Sequence, residues 1–192
     1  MNRGIWLIGL AALPLGVQAQ QAPSSFDYTF VDASYIDSES SIGPFDVDGD
    51  GLALRGSYAL GGRVFLFGDY ITQDHDGGVD TSLLQIGAGL RHPLQSNLDF
   101  VGELGWARAE VDTPFGDADD EGIALAGGLR FRANDNIEID GMIQHLELDD
   151  SNTSLLFRGR YYFSPSLALL GGLVLDDGDT GWSIGIRASF GR

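Results

Sequence analysis

From residue 50 onward the chain alternates with a period of two, which commits it to extended strands. Between Leu52 and Leu60 the even positions are Leu52, Leu54, Gly56, Tyr58 and Leu60, while the odd ones are Ala53, Arg55, Ser57 and Ala59. Successive side chains of a strand point to opposite faces, so each such segment has one oily face and one small or ionic face. The same split recurs over 84–91, 98–106, 123–131, 155–163 and 182–190, and less regular segments at 26–37, 63–73, 137–148 and 167–176 fill the intervals. This predicts ten strands, with eight as the alternative count. No stretch has helical periodicity of useful length and no composition break divides the chain, so residues 20–192 are expected to form a single all-β domain.

Alternation does not say which face is inside. Side-chain volume decides it. A small barrel has a narrow interior, and ten strands each sending four or five Leu, Ile, Phe, Tyr or Trp inward would overfill it. The other face, built of Gly, Ala and Ser with scattered charges, suits a confined lumen. The oily face therefore points outward, and a closed antiparallel barrel in a bilayer satisfies every backbone group. The connections agree. Short turns at 61–62, 93–97, 133–136 and 164–166 alternate with segments rich in Asp and Glu at 38–50, 74–80, 111–121, 149–153 and 177–181. Both termini and the short turns are expected on the periplasmic side, with the acidic loops outside the cell.

The N-terminus fits this destination. Arg3, the apolar run Ile5 to Val17 and the small-residue site Val17-Gln18-Ala19 read as a secretory signal, so residues 1–19 are expected to be removed. The chain carries 28 acidic and 11 basic residues, a formal net charge of −17, with every basic residue an Arg and no cysteine. Disulfide frameworks and thiolate metal sites are excluded, and a nucleic-acid partner is not expected.

The lumen face is itself ionic. One set of strands carries Arg55, Arg91, Arg130, Arg132, Arg158, Arg160 and Arg187, and the neighbouring set carries Asp32, Asp69, Asp99, Glu103, Glu138 and Asp140. Counting from the short turns places Arg55 beside Asp69 and Arg91 beside Asp99, where directly opposed charges contribute about 0.2–1 kcal/mol each. A paired network that fills the lumen is the expectation. Glycines near the middle of the oily stripe (Gly56, Gly102, Gly127, Gly159 and Gly171) read as kinks of a strongly curved sheet, covered by nearby aromatics.

The segments GLALRGSYAL (51–60), VFLFGDY (64–70) and DDGDTGWSIGIRASF (176–190) carry a family resemblance. The chain resembles small Gram-negative outer-membrane β-barrel proteins of the Ail/OmpX-like type, and more closely the acidic barrel proteins of xanthomonads once discussed as activators of rice innate immunity. The resemblance covers essentially the whole mature chain. It implies an outer-membrane location, insertion by the barrel assembly machinery, contact with outer-membrane lipid and lipopolysaccharide, and surface roles such as adhesion, biofilm behaviour or contact with a host or surface ligand. Such barrels usually end on an aromatic residue, whereas here Phe190 is followed by Gly191 and Arg192. The assembly signal is therefore assigned to Trp182, Ile184, Ile186 and Phe190 with a shifted end.

Three local features point to chemistry. Asp46, Asp48 and Asp50, followed by Gly51, match the first half of a calcium loop, but the twelfth position is Ser57 in place of the bidentate Glu. The acidic loops together, placed beside lipopolysaccharide phosphates, call for bridging Ca2+ or Mg2+, so weak divalent association is expected without any other cofactor. His75 and His145 lie toward the loop end, yet no nucleophile motif or cleft-forming loop accompanies them, and catalysis is not expected. The functional expectation is a barrel with a charged, closed lumen that displays short acidic loops. The alternative is a narrow porin-like channel for small solutes or cations.

Overall fold

The computed structural model describes residues 26–42, 45–176 and 179–191, with the side chains of 40–42 and 45–46 excepted. The proposed signal segment and its cleavage site lie outside these residues. Ten strands form one closed antiparallel meander: β1 (Phe30–Ile42), β2 (Phe45–Gly61), β3 (Val64–His75), β4 (Val79–Gln95), β5 (Leu98–Thr113), β6 (Gly116–Asn134), β7 (Ile137–Glu147), β8 (Ser151–Ser164), β9 (Leu167–Leu175) and β10 (Asp179–Ser189). Each strand pairs with its sequence neighbours, and β10 returns to β1 with Asp32 opposite Arg187. Closure leaves no edge, which is what a strand needs where no water is present to pair with its backbone.

The oily stripe faces outward all the way round. Leu52, Leu54, Leu104, Leu125, Ile143, Ile184 and Ile186 are all exposed, Leu52 by 60 %, whereas Asp99, Glu138 and Arg187 on the other face are buried. Aromatic side chains flank the aliphatic band. Tyr35, Tyr70, Trp106 and Trp182 stand toward the acidic hairpins, with Tyr35 and Trp182 in ring contact at 5.9 Å. Tyr58, Phe100, Phe131, Tyr161 and Phe163 stand toward the short turns. Two such girdles mark the two interfaces of a bilayer.

The strands run longer than the alternation shows. The segments expected as acidic loops are mostly ladder: β1 and β2 pair up to Ile42 and Phe45, and β5 and β6 up to Thr113 and Gly116. Beyond the aromatic girdle both faces of a strand meet water, so the hydrophobic alternation disappears while backbone pairing continues. At the opposite end, register shifts at Ala59/Gly61, Pro93/Gln95, Arg132/Asn134 and Tyr162/Ser164 place a bulge before each short turn.

The lumen also holds more bulk than its Gly, Ala and Ser content implies. Phe65 and Phe67 point inward and pack with Phe26, Tyr28, Val101 and Met142 in one buried cluster. Glycines on the facing strands make the room: a Cβ on Gly89 would lie 2.1 Å from Phe65 Cζ, and one on Gly87 2.8 Å from Phe67 Cζ. Of the outward glycines, Gly102 and Gly127 have the Phe100 ring within 4.0 Å, while Gly56, Gly159 and Gly171 face open space.

Candidate functional site: a plugged, ionic lumen beneath an acidic rim

The inward charges meet across the barrel as well as along neighbouring strands. Arg55 on β2 donates to Asp69 on β3 at 3.1 Å and also to Glu103 on β5, which bridges strands that are not adjacent. On the other wall Arg130 donates to Glu138 at 2.7 Å, Arg132 pairs with the same carboxylate, and the Tyr162 hydroxyl donates to it at 3.3 Å. Arg158 donates to Asp140 at 2.7 Å, and Arg160 joins it there. Arg187 donates twice to Asp32 at 2.7 Å and lies 3.4 Å from the centre of the Phe30 ring. Buried charges persist only when paired and hydrogen-bonded, and the compact fork of Arg suits that task.

Arg91 and Asp99 are not the directly opposed pair that the turn count expects. β4 continues to Gln95 with a bulge at Pro93/Gln95, which sets Pro93 opposite Asp99 and Arg91 opposite Val101. Arg91 instead donates to the Gly62 carbonyl at 2.9 Å and stacks 5.0 Å from the Tyr28 ring. Asp99 stands opposite Arg130 and accepts the Tyr28 hydroxyl at 3.0 Å.

That hydroxyl belongs to a feature the strand pattern missed. Residues 26–29 are not the start of β1; they tuck into the lumen at the short-turn end. Phe26, Asp27 and Tyr28 are all buried. Arg130 lies 5.1 Å from the Phe26 ring and 4.9 Å from the Tyr28 ring, Arg132 stacks on Phe26 at 5.3 Å, and Arg130 Nη1 donates to the Asp27 carbonyl at 3.1 Å. Asp27 turns its carboxylate back on the backbone, accepting from Thr29 N at 2.8 Å and from Gly191 N at 3.0 Å, so both ends of the barrel sequence are tied together. In this segment ahead of the strands, burial pushes the Tyr28 phenol above its ordinary pKa; Arg130 opposes the rise and Asp99 adds to it. The phenol therefore stays protonated and remains a donor. The sequence did hold a signal: Phe26, Tyr28 and Phe30 share parity with the inward Asp32, which puts large aromatics on a face that is otherwise small or ionic.

At the hairpin end the outer wall is acidic. Asp37, Asp50, Asp74, Asp80, Asp112 and Asp117 stand side by side in register across β1 to β6, on the same outward face as the oily stripe and beyond it. Arg108 stands nearby and pairs with Glu110 at 2.9 Å and Asp119 at 3.4 Å. Asp46, Asp48 and Asp50 lie on one paired strand, β2, where alternate residues are about 7 Å apart, and not in a loop. Asp48 and Asp50 are exposed, and the Asp46 side chain lies outside the described residues. Among the described residues no group of three or more acidic or His side chains is placed to hold a metal ion. His75 points into the lumen, whereas His145 shares the outward face of β7 and contacts Thr153 Oγ1 at 2.8 Å, so the wall separates them. Trp182, Ile184, Ile186 and Phe190 lie on one exposed stripe running off β10, and Phe190 N donates to the Thr29 carbonyl.

Residues 5–163 match the family described as outer membrane protein beta-barrel domain. The chain belongs to this outer-membrane β-barrel family. Membership implies an outer-membrane location. No curated protein sequence matches the chain. Among solved structures, this outer-membrane barrel is similar to the KdgM porin, with 9 % identity, TM-score 0.48, and coverage of 84 % of this chain and 99 % of that one. It is also similar to Ail, the attachment invasion locus protein of Yersinia pestis, with 16 % identity, TM-score 0.45, and coverage of 84 % and 97 %. Neisserial surface protein A gives 15 % identity, TM-score 0.41, and coverage of 84 % and 96 %.

Proposed function

We propose that this outer-membrane barrel is a closed scaffold: it spans the membrane without conducting, and it displays an acidic rim for contact with lipopolysaccharide and with host or other surfaces. The observation that carries the reading is the insertion of Phe26–Tyr28 into one end of the lumen, clasped by Arg91, Arg130 and Arg132, directly below the Arg55 bridge between β2 and β5. A hydrated ion entering from the short turns meets aromatic rings and then paired charges at every level. The experiment is a planar-bilayer recording of the purified protein. No stable conductance step is expected, and a steady open current would establish the narrow channel in its place.

The aspartate row supports the surface role. Like charges directly opposed across strands repel, and six in register need screening by counter-ions. We assign that screening to loosely held Ca2+ or Mg2+ shared with lipopolysaccharide phosphates. Folding by the barrel assembly machinery, with the Trp182–Phe190 stripe as its signal, belongs to the same proposal.

A further inference from the structure

Above the charge network, toward the hairpins, the lumen opens into a cavity of about 370 Å3. Its walls include Ile36, Ile71, Leu170 and Val174, and its floor is Arg55, Asp69, Arg158 and Arg160. Below that floor lies a space of about 20 Å3, room for roughly one water. With the lumen closed as proposed above, on which this inference rests, the cavity is blind and opens at the hairpin end alone. Its volume lies in the range of small-molecule sites, and an apolar wall over a few convergent polar groups is their usual chemistry.

The floor is unevenly satisfied. Arg55 has two carboxylates, Asp69 and Glu103. Arg158 and Arg160 share one, Asp140. The second nitrogen of Arg158, Nη2, rests 3.0 Å from the Met142 thioether, a weak acceptor for a charged donor. Arg160 is only 5 % exposed, and its Nε has no hydrogen-bond partner. The β8 side of the floor thus has guanidinium donors in excess of acceptors, and Arg158, whose side chain is 27 % exposed, is the one a solute can reach.

We propose that this cavity binds a small apolar monocarboxylate of about the size of benzoate, with its carboxylate on Arg158 in place of the thioether and its body between Ile36, Ile71 and Leu170. The one poorly satisfied nitrogen of Arg158, now on the thioether, matches a single carboxylate. Asp176 and Asp179 at the cavity mouth disfavour multiply charged anions.

The test is titration of the full barrel, folded in zwitterionic detergent, with sodium benzoate followed by calorimetry and saturation-transfer NMR. One saturable site per barrel is expected, with benzyl alcohol and inorganic phosphate each binding at least tenfold more weakly. Arg158→Gln should weaken benzoate at least tenfold. Ile71→Trp, which fills the cavity and leaves every ion-pair residue in the chain, should abolish binding while the unheated barrel keeps its compact gel migration. Absence of saturable binding overturns the site, as does benzoate binding that survives Ile71→Trp. Equal binding of benzyl alcohol removes the role of Arg158, and equal binding of phosphate removes that of the walls; either result overturns the proposal. Bilayer current measured on the same preparation separates the two readings. Benzoate binding by a conducting barrel would overturn the closed lumen alone, and a silent barrel that ignores benzoate would overturn this site alone.

Discussion

Arg187 and Asp32 close the barrel. Two parallel bonds of 2.7 Å join them across the β1/β10 seam, 155 residues apart in sequence, and the Arg187 side chain is fully buried. Removing one member of a buried pair strands the other charge without solvent, which typically costs about 3–5 kcal/mol. Asp32→Ala is expected to lower the unfolding free energy of the vesicle-inserted barrel, measured by urea titration, by an amount in that range. The double variant Asp32→Leu/Arg187→Met should recover most of the loss. Equal stability of Asp32→Ala and the native chain would show that the seam is held by the backbone ladder alone.

Gly89 is small because Phe65 is large. An added methyl would sit 2.1 Å from Phe65 Cζ, and that ring is fixed against Tyr28 at 5.0 Å. Gly89→Ala should destabilise by about 1–3 kcal/mol, the usual range for overpacking. Combined with Phe65→Leu the penalty should shrink, giving a coupling energy of at least about 0.5 kcal/mol in a double-mutant cycle. Additive effects would mean that the ring moves aside without cost.

Leu125 faces outward in the middle of the apolar band, and Glu121 faces outward four residues nearer the hairpin. Arginine at the bilayer midplane of a barrel costs about 2–4 kcal/mol and near an interface about 0–1. Leu125→Arg should therefore destabilise the inserted barrel strongly while Glu121→Arg leaves it nearly unchanged, measured as unfolding in lipid vesicles. A reversal of that order would move the membrane along the barrel axis.

Chelation should expose the strain of the aspartate row. Asp50 lies opposite both Asp37 and Asp74, so withdrawing divalent ions leaves like charges unscreened. In vesicles containing lipopolysaccharide, EDTA is expected to lower Tm by several degrees relative to millimolar Ca2+. The pair Asp50→Asn/Asp74→Asn should be less sensitive. Identical Tm in EDTA and Ca2+ would remove divalent ions from the account.

Plug and gel behaviour can be read together. The closed ladder predicts that the unheated protein migrates differently from the boiled one. Phe26→Ala/Tyr28→Ala removes the rings that Arg91, Arg130 and Arg132 cover. That variant should keep the heat-dependent shift but give brief current openings in a bilayer where the native chain is silent.

The sequence determined the strand count, the antiparallel closure and the choice of which face meets lipid, because a period of two and the volume of each face are local properties that survive without neighbours. It also determined which residues are inward and charged, since parity alone assigns Arg55, Asp69, Glu103, Arg130 and Arg187 to one side. The tertiary structure decided who meets whom. Pairing of β4 with β5 continues to Gln95, with one extra residue at Pro93/Gln95, so Arg91 meets Gly62 and Tyr28 instead of Asp99, and nothing in the alternation records how far the ladder runs into the turn. It decided how far the strands extend, because pairing continues past the membrane where the polarity contrast that reveals a strand is gone. It decided, finally, that Phe26–Tyr28 fills the lumen: a segment of ordinary strand character turns inward only because the closed wall, with its own glycines and arginines, leaves a space of that shape for it.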